Sequence, residues 1–168
     1  MTELLEIERK LAAKRIVEAL DCQPGVDVLP AALTRIITGV YHKTGYRFNV
    51  VGRGRHREVM SVIHPNPDLK LGIVLKVGSA DSNDRERKLT ALYIEDRPHI
   101  YAASKYGIVT EEVEVLRKID DERTLTKEFK ERAKILARRY IALEYSDLGI
   151  TDDGRIVVIG SSTRLRPQ

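Results

Sequence analysis

Apolar positions in residues 3–20 recur at helical spacing. Leu4, Leu11, Ala12, Ile16, Ala19 and Leu20 fall on one side at about 100° per residue, with Glu8 and Arg15 intruding. The chain then breaks at Pro24-Gly25, a turn signal. A second helix is expected from about Pro30, a residue suited to the first turn. Leu33, Ile36, Ile37, Val40 and Tyr41 supply its apolar face, and Gly45 is a fitting stop. Two helices in a row invite a helix-turn-helix reading, but a connector of about nine residues is too long for the 3–4-residue turn of that motif. Packing helices are expected instead.

The texture changes at Arg47. Residues 47–51, 58–63 and 71–77 are short β-branched or apolar runs, separated first by Gly52 and Gly54 and then by a connection holding Pro65 and Pro67. They read as a three-strand antiparallel meander. Ser82, Asn83 or Asp84 is expected to cap a helix running through Ile94, with Leu89, Leu92 and Tyr93 on one face and Glu86 close to it. Residues 98–104 and 107–116 give two further strands around a turn at Lys105–Gly107. A third clear helix is expected over about 125–143, because Phe129, Ala133, Leu136, Tyr140 and Leu143 form a core-facing stripe. A hairpin turning at Asp152-Asp153-Gly154 follows, and the tail from Ser161 is expected to fray. The fold class is therefore α+β: an antiparallel sheet of about five strands with packed helices, preceded by two helices and followed by a helix and a β-hairpin. Residues 1–46 form an N-terminal helical segment and 47–168 an α+β domain.

Composition narrows the setting. With 42% hydrophobic residues and no Trp, the core must be mostly aliphatic. The first ten residues carry charges where a signal peptide needs an apolar stretch, and no window approaches the roughly 18 apolar residues of a membrane span. Cys22 is the single cysteine, so no intramolecular disulfide forms, which suits the cytoplasm. The net charge of +4 is a mild excess, concentrated at Arg53, Arg55, His56 and Arg57 and again at Arg164 and Arg166. Arg53, Arg55 and Arg57 are candidate contacts for phosphate or nucleic acid. His42, His56, His64 and His99 show no metal-ligand spacing.

The order strand, glycine loop, strand, strand with lysine, helix with glutamate, two strands resembles the N-terminal lobe of protein kinases. The matching residues are Gly52-Arg53-Gly54 with Val59 after them, Lys76, Glu86, and the segment 98–116, in which Glu112, Val113 and Glu114 lie near the position of a kinase hinge. Residues 144–162 resemble the stretch that follows a kinase catalytic loop. There Asp147 would take the position of the metal-binding Asn, and Gly160 that of the metal-binding Asp of the DFG motif. The resemblance implies a nucleotide pocket built from Gly52, Gly54, Val59, Lys76, Glu86, Glu112 and Val113, with ATP and magnesium as cofactors and Asp147 as a metal ligand. Its physical basis is that glycines bring backbone N–H groups close to phosphates, a lysine neutralises phosphate charge, and a glutamate holds the lysine in place.

The departures set the functional expectation. Arg57 stands where the loop pattern has its third glycine, residues 138–147 contain no H-R-D-like sequence, and Gly160 brings no carboxylate. Phosphoryl transfer needs a positioned nucleophile and metal-held phosphates. A pseudokinase-type regulator, binding a protein partner and not acting as an enzyme, is the leading reading. Two alternatives stay open: a nucleic-acid- or protein-binding α+β module without kinase ancestry, and a minimal phosphotransferase using Asp147 and magnesium. Each residue also has a plainer reading. Gly52 and Gly54 suit a hairpin turn, Lys76 an exposed edge strand, Glu86 a helix surface and Asp147 a cap. An exposed apolar face on residues 30–44 would make a second copy of the chain a partner.

Overall fold

A computed structural model describes residues 3–26, 32–53, 57–116, 122–159 and 164–167. Twelve regular elements follow in chain order. They are α1 (Glu3–Asp21), α2 (Leu33–Thr44), β1 (Arg47–Arg53), β2 (Arg57–Ile63), β3 (Ile73–Gly78), α3 (Ala80–Leu92), β4 (Ile100–Ala103), β5 (Gly107–Glu111), β6 (Glu114–Val115), α4 (Lys127–Arg139), β7 (Leu148–Ile150) and β8 (Ile156–Val158). The class is α+β, with a five-stranded antiparallel sheet in the order β1-β2-β3-β5-β4 and a three-stranded sheet in the order β6-β7-β8. The chain divides into two compact units, Met1–Arg87 with His99–Glu112, and Lys88–Pro98 with Val113–Gln168. No helix among the described residues is long and apolar enough to cross a membrane.

In the first unit, strand alternation sorts side chains between the two faces of the larger sheet. Met60, Val62, Ile73, Leu75, Val77 and Val109 point to one face and form a single core with α1 and α2. The helices of residues 1–46 and the sheet thus share one core. Each fully buried Leu or Ile in it contributes about 1.5–3 kcal/mol. Gly45 ends α2 in the left-handed region at φ 80°, and its N–H donates to the Tyr41 carbonyl at 2.7 Å. The apolar face of α2, which would suit a dimer only if exposed, is turned inward, with Ile36 and Val40 buried in the same core.

Helix α1 buries Ala12, Ile16, Ala19 and Leu20 of the expected face, with the stripe widened towards Ala13 and Val17. Ala12, Ala13, Ile16, Val17 and Leu20 are buried, while Leu4 and Leu11 are exposed and Arg9 takes a buried place. Small alanines let the helix approach the sheet closely. Gly107 of β5 leaves the matching space, since a Cβ there would stand 2.4 Å from Leu20 Cδ2. Arg9 is accommodated because its Nε donates to the Leu71 carbonyl at 2.5 Å, which satisfies a charge that apolar counting would place outside.

Helix α3 begins at Ala80, earlier than the expected caps allow. The Ser79 hydroxyl accepts the Ser82 N–H at 3.2 Å and so does the capping that Ser82, Asn83 or Asp84 was expected to do. Asn83 and Glu86 are buried together with Leu89, so the buried face keeps Leu89 and the nearby Glu86 as expected, while Leu92 is exposed.

In the second unit, Thr126 caps α4 by accepting the Phe129 N–H at 3.1 Å. Phe129, Leu136 and Tyr140 are buried with Leu116, Leu148 and Val158. The helix ends at Arg139, short of the expected 143, because Tyr140 is extended and pairs with Leu165. The described part of the tail is therefore not frayed: Ile141 N–H donates to Arg164 and Arg166 N–H to Arg139, both at 2.8 Å. The segment 107–116, expected as one strand, divides at Glu112 and Val113. Its second part, β6, pairs with β7. The β7–β8 hairpin turns as expected, with Gly154 at φ 84°.

Candidate functional site

The second face of the larger sheet carries the polar cluster. Register aligns Gly52 with Val59 and Val59 with Lys76, so these three share one rung, and Arg57 sits two residues before Val59 on the same face. β3 is central in the sheet and buried along its whole length, so Lys76 is not an exposed edge residue. Its ammonium donates to Glu86 Oε1 at 2.7 Å. The other carboxylate oxygen, Oε2, accepts from Arg57 Nη1. Arg57 Nη2 donates to Asn83 Oδ1 at 2.7 Å, and Asn83 Nδ2 donates to the Lys105 carbonyl at 3.0 Å. Asn83 and Glu86 lie one turn apart on α3, which aims both at the sheet. The Glu86 and Asn83 residues are each 1% exposed.

Glu86 is thus not a helix-surface residue. The guanidinium of Arg57 is also turned inward and does not present a surface cation to a nucleic-acid backbone. Arg53 ends β1, its backbone paired with Glu58, while Gly54 and Arg55 lie outside the described residues. Gly52 follows a bulge, and a Cβ there would stand in ordinary van der Waals contact with Val59 Cβ at 3.9 Å. Glu112 is drawn to the same sheet: its N–H donates to the Gly72 carbonyl at 2.8 Å and Oε1 accepts from the Ser61 hydroxyl at 3.4 Å.

Two of the expected residues belong to the second unit. Val113 lies against Gly149, where a Cβ would come within 2.9 Å of Val113 Cγ2. Asp147 closes a short turn at Tyr145–Asp147, its Oδ2 accepting the Glu144 N–H at 2.9 Å. Gly160 lies outside the described residues. Lys76 and Arg57 are the two cations of this face, and both are paired to Glu86. Among the described residues no set of three or more His, Cys, Asp or Glu side chains could hold a metal, and Asp147 is engaged as a cap.

A second charged cluster lies inside the second unit, and nothing in the sequence pattern pointed to it. Asp96, fully buried, accepts from Arg132 at 2.7 Å, Arg139 at 2.5 Å and the Tyr140 hydroxyl at 3.2 Å. Arg139 also lies over the Tyr93 ring, 4.3 Å from its centroid. Burial, reinforced by the Asp96 charge, pushes the Tyr140 hydroxyl up to about 12. The folded state therefore favours neutral Tyr140. Its contribution to stability is complete below about pH 10, the ordinary tyrosine value, and is lost as pH rises towards about 12. Tyr140→Phe is expected to flatten this part of the alkaline limb, read as urea midpoints at several pH values between about 9 and 12. A limb of unchanged steepness would assign the alkaline loss to other groups.

Compared with known proteins, the chain matches no family model and no curated sequence.

Proposed function

We propose that this chain is a pseudokinase-type regulatory protein that binds a nucleotide through Lys76 and acts on a protein partner without transferring a phosphoryl group. The observation that carries the reading is the buried Lys76–Glu86 ion pair joining β3 to α3. Lys76 and Glu86 are 10 positions apart, with Ser79 alone between the end of β3 and the start of α3. Held at its carboxylate, the ammonium has a fixed position from which to neutralise a phosphate. Val59 on the same rung supplies an apolar neighbour to Lys76. The departures in the sequence, Arg57 in place of the third glycine of the loop pattern and no carboxylate at Gly160, argue for binding over turnover.

Thermal unfolding with ATP, with and without magnesium, tests the reading. ATP at 100 times its dissociation constant should add about 2.7 kcal/mol to the stability of the wild type. Lys76→Ala should lose that ligand-dependent gain, whatever its own stability. A wild type that ATP does not stabilise under either condition, or a Lys76→Ala variant that gains as much as the wild type, would end the proposal.

A further inference from the structure

We infer that helix α4 and the tail residues Arg164 and Arg166 form a face that binds single-stranded nucleic acid, with phosphates along a basic stripe and a base in the pocket beside Tyr93. The face lies wholly within the second unit, and the inference does not depend on the nucleotide reading above.

Three observations point this way. First, the charge of the chain is uneven. Helix α4 with Arg164 and Arg166 holds eight of the 29 Lys and Arg residues but two of the 25 Asp and Glu residues, a net +6, so the rest of the chain sums to −2. The positive excess is thus accounted for by one helix and the tail segment paired to its end. Second, the charge is ordered. Lys127, Lys130, Lys134 and Arg138 step by three, four and four along the exposed side of α4, away from buried Phe129 and Leu136. At about 1.5 Å per residue this stripe is about 16 Å long. Glu131 pairs with Lys127 at 3.9 Å, and among the described residues no carboxylate pairs with Lys130, Lys134 or Arg138. Third, the stripe ends at an open pocket of about 380 Å³ lined by Tyr93, Ile135, Arg138, Arg139, Arg166 and Pro167. Arg166 is held there, its N–H donating to the Arg139 carbonyl at 2.8 Å and its Nε to the Ala137 carbonyl at 3.0 Å. The Arg139 guanidinium lies 4.3 Å from the centroid of the Tyr93 ring, and Ile135 is exposed beside them.

The chemistry favours a nucleic acid over an acidic peptide. A row of lysine and arginine on one helix face neutralises backbone phosphates whatever their sequence. A base then offers what a carboxylate side chain lacks, a flat apolar face with a polar edge. Tyr93 and the guanidinium laid over it give that face a platform to stack on, and the arginines of the pocket can donate to the edge. A duplex keeps its bases paired and stacked, so the pocket selects a single strand.

The experiment is an anisotropy titration of the full chain against labelled single strands of DNA and RNA, the matching DNA duplex, and two base-free polyanions, polyphosphate and poly-glutamate, over a range of salt. A single strand is expected to bind, with log K falling against log salt at a slope of about −2 to −3, the value for three or four neutralised phosphates. Lys134→Gln combined with Arg138→Gln, both at exposed positions, should weaken binding about tenfold and make the slope shallower by about 1.4. Tyr93→Leu, which stays apolar but lacks the ring, should weaken the strand about fivefold or more and leave polyphosphate binding unchanged. Preference for RNA over DNA, or the reverse, would support the inference and add the sugar as a contact. No binding of either strand at low salt would overturn it, as would a duplex bound more tightly than both single strands. So would a double variant that keeps the wild-type affinity and slope. A strand bound no more tightly than polyphosphate or poly-glutamate would also overturn it, and would make the face a site for acidic chains in general. That last comparison uses the wild type alone, so it decides the matter even if Tyr93→Leu fails to fold.

Discussion

Glu86→Gln is expected to lower folding stability by about 3–5 kcal/mol, the range for breaking a buried ion pair by removing one partner. The substitution keeps the shape of the side chain and removes only its charge, so packing loss cannot account for the effect. What remains is two cations whose side chains are only 9% exposed at Lys76 and 7% at Arg57. Neither can turn to water without opening the β2–β3–α3 cluster. Urea unfolding of the variant beside the wild type measures the loss. Replacing the cluster as a whole, with Glu86→Leu, Lys76→Met and Arg57→Met together, should recover most of it, because an apolar substitute of similar volume carries no desolvation cost. A Glu86→Gln loss below about 1 kcal/mol would mean that the cluster is hydrated in solution.

Asp96→Asn should be the most damaging single change in the second unit, at about 3 kcal/mol, the lower end of the same range. The carboxylate is as buried as Glu86, but its partners differ. The side chains of Arg132 and Arg139 are 25% and 33% exposed, so each can regain water when the charge is removed. For the same reason Arg132→Met should cost less than Asp96→Asn, since Arg139 and the Tyr140 hydroxyl still satisfy the carboxylate. Unfolding of the single variants fixes the order. A Arg132→Met loss equal to that of Asp96→Asn would show that the network depends on all its members at once.

Periodicity alone carried much of the architecture. The α2 stripe and its glycine stop, the strand runs between Arg47 and Glu111, the α4 stripe and the final hairpin are local patterns, and each forms where spacing and turn chemistry put it. Local patterns fail where a neighbour in space decides. The face of α1 is set by how closely alanines approach the sheet and by a carbonyl at Leu71 that accepts from Arg9. The start of α3 is set by Ser79, and Asn83 and Glu86 turn inward to the partners that β2 and β3 bring. Polar residues at helical spacing, Asn83, Glu86 and Thr90, were a signal for that buried face, but exposed polar stripes look the same in sequence.

The candidate site divides the same way. Lys76 and Glu86 could be named from their order along the chain, because a strand lysine followed by a helix glutamate is a pattern in one dimension. That Lys76 lies at the centre of the sheet follows only from β5 pairing on the far side of β3, a contact between segments about thirty residues apart. Arg57 could be seen as a departure from a glycine pattern, and its charge suggested the surface. Its inward role depends on Asn83 and Glu86 arriving on the same face of the sheet. Asp96 carried no signal at all, since its arginines lie 36 and 43 positions further on. The sequence by itself determined which segments become helices and strands, because those follow from short-range periodicity and capping. Which charges meet was decided by the tertiary structure, because a buried charge persists only where distant segments deliver its partner.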